Sequence, residues 1–154
     1  MTACIRRVVL ESADELASLH EACFEDRWSA EAFRRLLDRS GAVALLAASE
    51  AESESQSFIF VQVAADECEI LTLGTVVRAR RKGLAHTLLK AAANEAHGLG
   101  ARAMFLEVAE DNHGAITLYR GAGFEIAGRR RKYYRRADGT ALDAVMLRAT
   151  LPLD

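Results

Sequence analysis

The segment Ala103-Met104-Phe105-Leu106-Glu107-Val108 is a continuous apolar run with a single charge in it. A strand with one wet face alternates apolar and polar residues, so a run without alternation is expected where a sheet is covered on both faces. Such a strand needs a layer on either side, and the rest of the chain supplies candidates. Ile5 to Val9 reads as a short opening strand. Ser12 with Glu15 three residues on has the pattern of a capping box, starting a helix that carries Leu16, Leu19 and Phe24. Ser29 begins a second helix with Phe33, Leu36 and Leu37 on one face, stopped near Ser40-Gly41. Val43 to Ala47, Phe58 to Val63 and Cys68 to Val77 read as three further strands, with the polar stretch Glu50 to Ser57 as a loop or hairpin turn. Leu84 to His97 is a long alanine-rich helix, broken at Gly98-Leu99-Gly100. Asn112 to Arg120 is a shorter one, ended by Gly121 and Gly123. Phe124 onward, and Leu142 to Leu147, supply the last strands. This order predicts an α/β chain with a mixed sheet and helices on both faces.

With 154 residues, 51% of them hydrophobic, the chain fits one domain over residues 1–154 around one core. No apolar run approaches the ~20 residues that span a bilayer. The start, Met1-Thr2-Ala3-Cys4-Ile5-Arg6-Arg7, lacks the apolar stretch and cleavage site of a signal peptide. Cys4, Cys23 and Cys68 are too scattered for a zinc site and odd in number for a disulfide framework, which predicts a reduced, cytoplasmic setting. His20, His86, His97 and His113 have no metal-ligand spacing, so no metal is expected. The formal net charge of -2 argues against a nucleic-acid binder by bulk electrostatics. The charge is uneven, however: acids dominate Glu50 to Glu69, while cations crowd Arg78 to Lys82 and Arg129 to Arg136.

Arg80-Arg81-Lys82-Gly83-Leu84-Ala85 joins a strand to the alanine-rich helix. Backbone amides converging at a helix N-terminus form an anion site. Gly83 allows close approach of the backbone, Ala85 keeps the first turn narrow, and the flanking cations suit a pyrophosphate. The turn is not a P-loop, since no Gly-Lys-Ser/Thr follows, and it has too few glycines for the dinucleotide fingerprint. Glu107 is the one charge in its apolar strand. A buried carboxylate is costly unless it is neutralised, paired or used, so it is either a functional group or the partner of Arg102 or another arginine. Glu69, beside Asp66 and Glu67, is a site carboxylate or a solvated strand edge. Tyr119, in the last turn of a short helix, is a site phenol or a core or cap residue.

Taken together these residues form a set. Arg80-x-x-Gly83-x-Ala85 matches the pyrophosphate loop Gln/Arg-x-x-Gly-x-Gly/Ala of the GNAT family of N-acetyltransferases, and Asn112, Ala115, Leu118-Tyr119 and Gly123-Phe124 match that family's coenzyme-side motif. From Asp66 through Arg148 the chain resembles this family, and within it most resembles the RimI type. Glu69-Ile70-Leu71-Thr72-Leu73, Phe105-Leu106-Glu107-Val108, Arg130-Arg131-Lys132-Tyr133-Tyr134 and Asp143-Ala144-Val145-Met146 carry that likeness. Near the front, Cys23-Phe24 and Trp28-Ser29 with Phe33 extend it over nearly the whole chain. The chain departs from the family in two places. Gly74-Thr75-Val76-Val77 stands where Ala-Val-x-Pro is usual, leaving the amide donors in place. The cations Arg129 to Lys132, Arg135 and Arg136 would repel the basic N-terminal segment of the acceptor that the resemblance implies.

The resemblance implies the GNAT fold: a central, mostly antiparallel mixed sheet of about seven strands with helices on both faces. It implies acetyl-CoA as donor, no metal, and the N-terminal α-amine of a protein as acceptor, the N-terminal alanine of a small-subunit ribosomal protein in the RimI type. Another amine, on a small molecule, a different protein N-terminus or a lysine, is the alternative. Transfer would be by direct attack in a ternary complex. Glu107 would be the general base, its pKa tuned upward, and Tyr119 the general acid toward the leaving thiolate. Leu73, Thr75 and Val76 would pair with the pantetheine arm. Arg80, Arg81, Lys82, Gly83, Leu84, Ala85 and His86 would hold the pyrophosphate, with Asn112 and Tyr119 on the other side of the donor. Glu69, Tyr133 and Tyr134 would face the acceptor, the two tyrosines being alternatively an aromatic core hairpin. The expected state is a monomer or weak dimer without membrane or nucleic-acid partners. A non-catalytic acyl-CoA sensor, and a ribosome or RNA binder using Arg129 to Arg136, are the readings from other classes.

Overall fold

Phe58, Ile59, Phe60 and Val61 run consecutively along one strand and all four are fully buried. Because successive side chains point to opposite faces, both faces of that strand must be covered. In the computed structural model, which describes residues 3–50 and 52–154, this strand is β3. The elements in order are β1 (Ala3–Arg7), α1 (Ala13–Cys23), α2 (Ala30–Leu37), β2 (Ala42–Ser49), β3 (Ser57–Ala64), β4 (Glu67–Thr75), α3 (Leu84–Gly98), β5 (Ala103–Ala109), α4 (His113–Gly121), β6 (Glu125–Arg135) and β7 (Ala141–Thr150). One 7-stranded sheet results, in the order β1-β2-β3-β4-β5-β7-β6. Only β4 and β5 pair in parallel; every other neighbouring pair is antiparallel.

The α1–α2 layer contributes an aromatic wall. His20 stacks on Trp28 at 4.9 Å and meets Phe58 at 5.5 Å, while Phe33 lies 6.1 Å from Phe60. Phe58 and Phe60 therefore face this layer, and Ile59 and Val61 face the other way, toward the side that α3 packs on. Burying Leu88, Leu89, Ala92, Ala93 and Ala96 lets α3 lie close to the sheet. Gly41 is dictated by contact as well as by conformation: φ is +83°, and an added Cβ would sit 2.2 Å from the Val63 carbonyl oxygen.

The expected mixed sheet and helical layers are present, with local differences. Ser12 makes no side-chain cap; a 3₁₀ turn at Leu10–Ser12 precedes α1, and Glu15 pairs with Arg6 of β1 instead of reaching back to the helix start. Ser29 does cap α2, accepting from the Ala32 amide at 3.1 Å. The strand expected to run to Val77 stops at Thr75, and a second 3₁₀ turn, Val77–Ala79, occupies the position where the family usually has proline.

Candidate active site

The β4–β5 pair is joined at three positions only, Glu67↔Ala103, Cys68↔Met104 and Glu69↔Phe105. Beyond Glu69 the two strands part. A bulge contributes: Val61 pairs with Ile70 and Phe60 with Thr72, so Leu71 is an extra residue on β4, and bulges bend and twist a strand. β5 stays paired with β7 on its other side. The far half of β4 consequently has a free edge. The Val76 amide donates to the Gln56 carbonyl at 2.9 Å, while the Thr75 carbonyl accepts from Arg80 Nε at 3.0 Å, away from β3. With a period of two, the amides of Thr75 and Leu73 point into the gap, whereas that of Val76 is used inside the sheet.

A cavity of about 820 Å³ opens there. Leu73, Gly74 and Thr75 line one side, Arg80, Arg81, Gly83, Leu84, Ala85 and His86 another, and Asn112 to Ala115 with Thr117, Leu118 and Tyr119 the side of α4. Val76 and Lys82, expected at the donor, are absent from the described wall; Val76 is buried with its amide bonded. Cys23, Phe24 and Ala79 also line the cavity and were not assigned a site role from sequence. Phe24 explains Gly74, since an added Cβ would lie 2.9 Å from Phe58 and 3.0 Å from Phe24. The match of Cys23-Phe24 to the family was the available signal, but nothing in the local spacing linked it to a distant strand.

The start of α3 is built for an anion. Gly83 sits at φ +83° as N-cap and supplies no capping side chain. The first helical bond runs from Thr87 N–H to the Gly83 carbonyl at 3.0 Å, leaving the amides of Leu84, Ala85 and His86 ahead of it without intrahelical acceptors. Arg81 also holds a left-handed conformation, φ +64°, a strain of roughly 1 kcal/mol or more in a non-glycine residue. The two helices that begin at a side-chain cap, α2 at Ser29 and α4 at Asn112, contrast with it. Asn112, expected to hold the donor, lines the cavity, but its side-chain oxygen accepts the Ala115 amide at 3.2 Å and so caps α4. Tyr119 is 3% exposed, packs edge-on to Phe124 at 5.3 Å, and makes no side-chain hydrogen bond among the described residues. Burial raises the pKa of its phenol, so the hydroxyl keeps its proton and is a donor facing the cavity.

A second cluster lies where β4 and β5 begin to separate. Glu107 of β5, with its side chain 18% exposed, forms an ion pair with Arg130 Nε of β6 at 3.0 Å. This is the arginine pairing that the sequence left open as an alternative, made by Arg130 and not by Arg102. The Arg130 guanidinium also lies over the Tyr133 ring, 5.3 Å from its centroid. Glu69 has a raised pKa, first because its carboxyl loses solvent, then because of the Glu107 charge, with Arg130 opposing. Tyr134 is likewise raised, by burial and then by Glu107 and Tyr133. Glu69, Glu107, Tyr133 and Tyr134 are thus brought together around Arg130, separate from the wall of the large cavity. The tyrosines pack on each other at 5.2 Å, with Tyr133 54% exposed, so they form no core hairpin. Much of the basic run is neutralised: Arg129 pairs with Glu110 and Asp143, Arg130 with Glu107, and Arg136 with Asp111. Among the described residues no group of three or more metal-ligating side chains could hold a metal.

The Acetyltransferase (GNAT) family matches residues 13–124, and the chain belongs to it. The ribosomal protein bS18-alanine N-acetyltransferase of Escherichia coli is 34% identical over 91 residues, 59% of this chain and 61% of that protein. The chain therefore aligns with about three-fifths of that relative's length. The protein of the same name from Haemophilus ducreyi is 27% identical over 143 residues, 93% of this chain and 97% of the relative. The crystal structure of the ribosomal-protein-S18-alanine N-acetyltransferase from Escherichia coli superposes with a TM-score of 0.87 at 23% identity, covering 97% of this chain and 94% of that one, which shows a shared fold.

Proposed function

We propose that the chain is an acetyl-CoA-dependent N-acetyltransferase whose acceptor is the α-amine of a protein N-terminus, with the N-terminal alanine of a small-subunit ribosomal protein as the specific candidate. The observation that carries the reading is one cavity bordered by the free α3 amides, the open edge of β4 and Tyr119, whose hydroxyl has no side-chain partner among the described residues. Those residues fit the donor. The α3 amides with Arg81 suit a pyrophosphate, and the Leu73 and Thr75 amides suit the amide-bearing arm. When bound, acetyl-CoA supplies an activated acyl group in the form of a thioester.

The chain's own groups do the rest. An α-amine is largely protonated at neutral pH, with a pKa of about 8, and must shed a proton before it can attack. Glu107 accepts that proton, directly or through one water. Glu69 adds a second negative charge that draws the ammonium in, and Tyr134 borders the same cluster. The Leu73 and Thr75 amides orient the acyl group across the gap. Tyr119, with a phenol that burial keeps protonated across the neutral range, gives its proton to the departing thiolate. Pairing of Arg129, Arg130 and Arg136 with acids lessens the repulsion of a basic acceptor that the run of cations suggests. We place the enzyme in the cytoplasm, acting as a monomer or weak dimer.

The test is acetyl transfer from acetyl-CoA to a peptide beginning with alanine and copying the host's own ribosomal N-terminus, with mass spectrometry locating the acetyl group. Acetylation of the α-amine is expected. Transfer only to lysine side chains or small amines would move the enzyme to another acceptor class. No binding of acetyl-CoA would remove the reading altogether.

A further inference from the structure

We infer that Arg130 is a built-in stand-in for the acceptor's cation: without acceptor its guanidinium occupies the Glu107 carboxylate, and the incoming ammonium displaces it toward Tyr133. The inference rests on the proposed acceptor chemistry. It starts from a charge imbalance. Glu107 pairs with the Arg130 cation, and Glu69 lies near both: its pKa is raised first by burial and then by the Glu107 charge, with Arg130 opposing. Glu107 sits on β5, paired with the apolar Met146 of β7, and the charged or titratable groups around it are Arg130 and Tyr134 of β6 and Glu69 of β4. The cluster with both acids ionised is one positive charge short, and a single ammonium supplies it.

Arg130 is held in a way that permits it to leave. Its contact to Glu107 is an ion pair from Nε at 3.0 Å, without the two parallel hydrogen bonds of a full guanidinium–carboxylate fork. The side chain is 57% exposed, against 18% for Glu107, so withdrawing the arginine exposes the better buried carboxylate without burying a charge. The Tyr133 face, 5.3 Å from the guanidinium carbon, already offers a second resting place for a cation. The backbone around it is anchored independently. Three β6 residues, Arg131, Lys132 and Tyr133, stand opposite Asp143 alone, and the Lys132 amide donates to the Asp143 carboxylate at 2.9 Å with Lys132 at φ +50°. Arg129 and Arg136 are tied to Glu110 and Asp111 on either side. Displacement then needs a rotamer change of one side chain and no movement of the hairpin.

Competition of this kind weakens acceptor binding, so removing the arginine should improve it. Arg130→Ala is expected to raise kcat/KM for the acceptor peptide about three- to tenfold through a lower acceptor KM, as suits a pair whose arginine is largely exposed. Arg130→Lys keeps the competing cation and should show no comparable rise. Methylguanidinium should bind the vacated site, giving chemical-shift changes at Tyr133 and Tyr134 in Arg130→Ala at concentrations that leave the unmodified protein unchanged, and inhibiting competitively with the acceptor. A fall in kcat/KM for Arg130→Ala would make the arginine a positioning residue and overturn the inference, as would equal methylguanidinium binding to both proteins. The binding experiment needs no acetyl transfer. If the unmodified protein acetylates no α-amine, the functional reading fails while the shift changes still decide the role of Arg130.

Discussion

Glu107 and Tyr119 stood out in the sequence for opposite reasons. Glu107 was visible because a charge in an apolar strand has to be accounted for, and the structure accounts for it through Arg130. Tyr119 was ambiguous, since a phenol at a helix end serves packing equally well; what distinguishes it is a buried ring on the cavity wall whose hydroxyl has no side-chain hydrogen bond among the described residues, and no local pattern encodes that. Asn112 shows the converse, a residue assigned to the donor whose side-chain oxygen is spent on the α4 cap. If the acid–base roles are right, Glu107→Gln and Tyr119→Phe each lower kcat by about 10²–10⁴ with circular dichroism unchanged. Near-normal turnover in a folded variant would refute the role of that residue. His20 gives a separate prediction about stability. It is 2% exposed inside the aromatic wall, its Nδ1 has no partner among the described residues, and desolvation lowers its pKa below 6.5, with Asp26 opposing. As pH falls through 6.5 the unfolded chain takes up a proton that the folded imidazole resists, so the unfolded state binds more protons and stability drops. Melting temperatures measured from pH 7.5 down to 5.5 should fall more steeply for the unmodified protein than for His20→Phe, and parallel curves would contradict this.

At the level of elements, cores of helices and strands were legible and their ends less so. Apolar periodicity located α3 and β3, but Ser12 and Glu15 have the spelling of a capping box without its geometry. Arg6 on a neighbouring strand takes the Glu15 carboxylate, a tertiary competitor no local window contains. The loop before α3 was legible because Gly83 performs a backbone task that other residues do poorly. Its Cβ position meets nothing within 4 Å, so the constraint is φ +83° and the nearby anion site, not crowding. Gly83→Asp separates these effects. A negative charge favours a helix start, offsetting part of the roughly 1–2 kcal/mol that a left-handed backbone costs. The helix should persist, with a modest change in melting temperature, while the KM for acetyl-CoA rises tenfold or more. An unchanged KM would mean that the pyrophosphate lies elsewhere.

Across the whole molecule, the feature that makes a site is the parting of β4 from β5, and this was the least legible. The sequence shows two good strands; that they touch over three residue pairs and then diverge depends on a bulge at Leu71 and on β5 preferring β7, both non-local facts. The divergence leaves β1 to β4 with α1 to α3 on one side of the gap, and β5 to β7 with α4 on the other. A donor lying in the gap must bond to both parts at once. Hydrogen exchange followed residue by residue can see this, because the free amides are known in advance. Adding acetyl-CoA should slow exchange at Leu73 and Thr75 on β4 and at Leu84, Ala85 and His86 on α3. Val76 should change little, since its amide is already bonded to Gln56. At a donor concentration of 100 times Kd the folded state gains about 2.7 kcal/mol, which for a chain of this size corresponds to roughly 5–10 °C in melting temperature. Protection at Val76 without protection at Leu73 and Thr75 would put the bound arm on the wrong register of β4. Protection limited to α3 would mean that the ligand is held by its phosphates alone and does not span the gap.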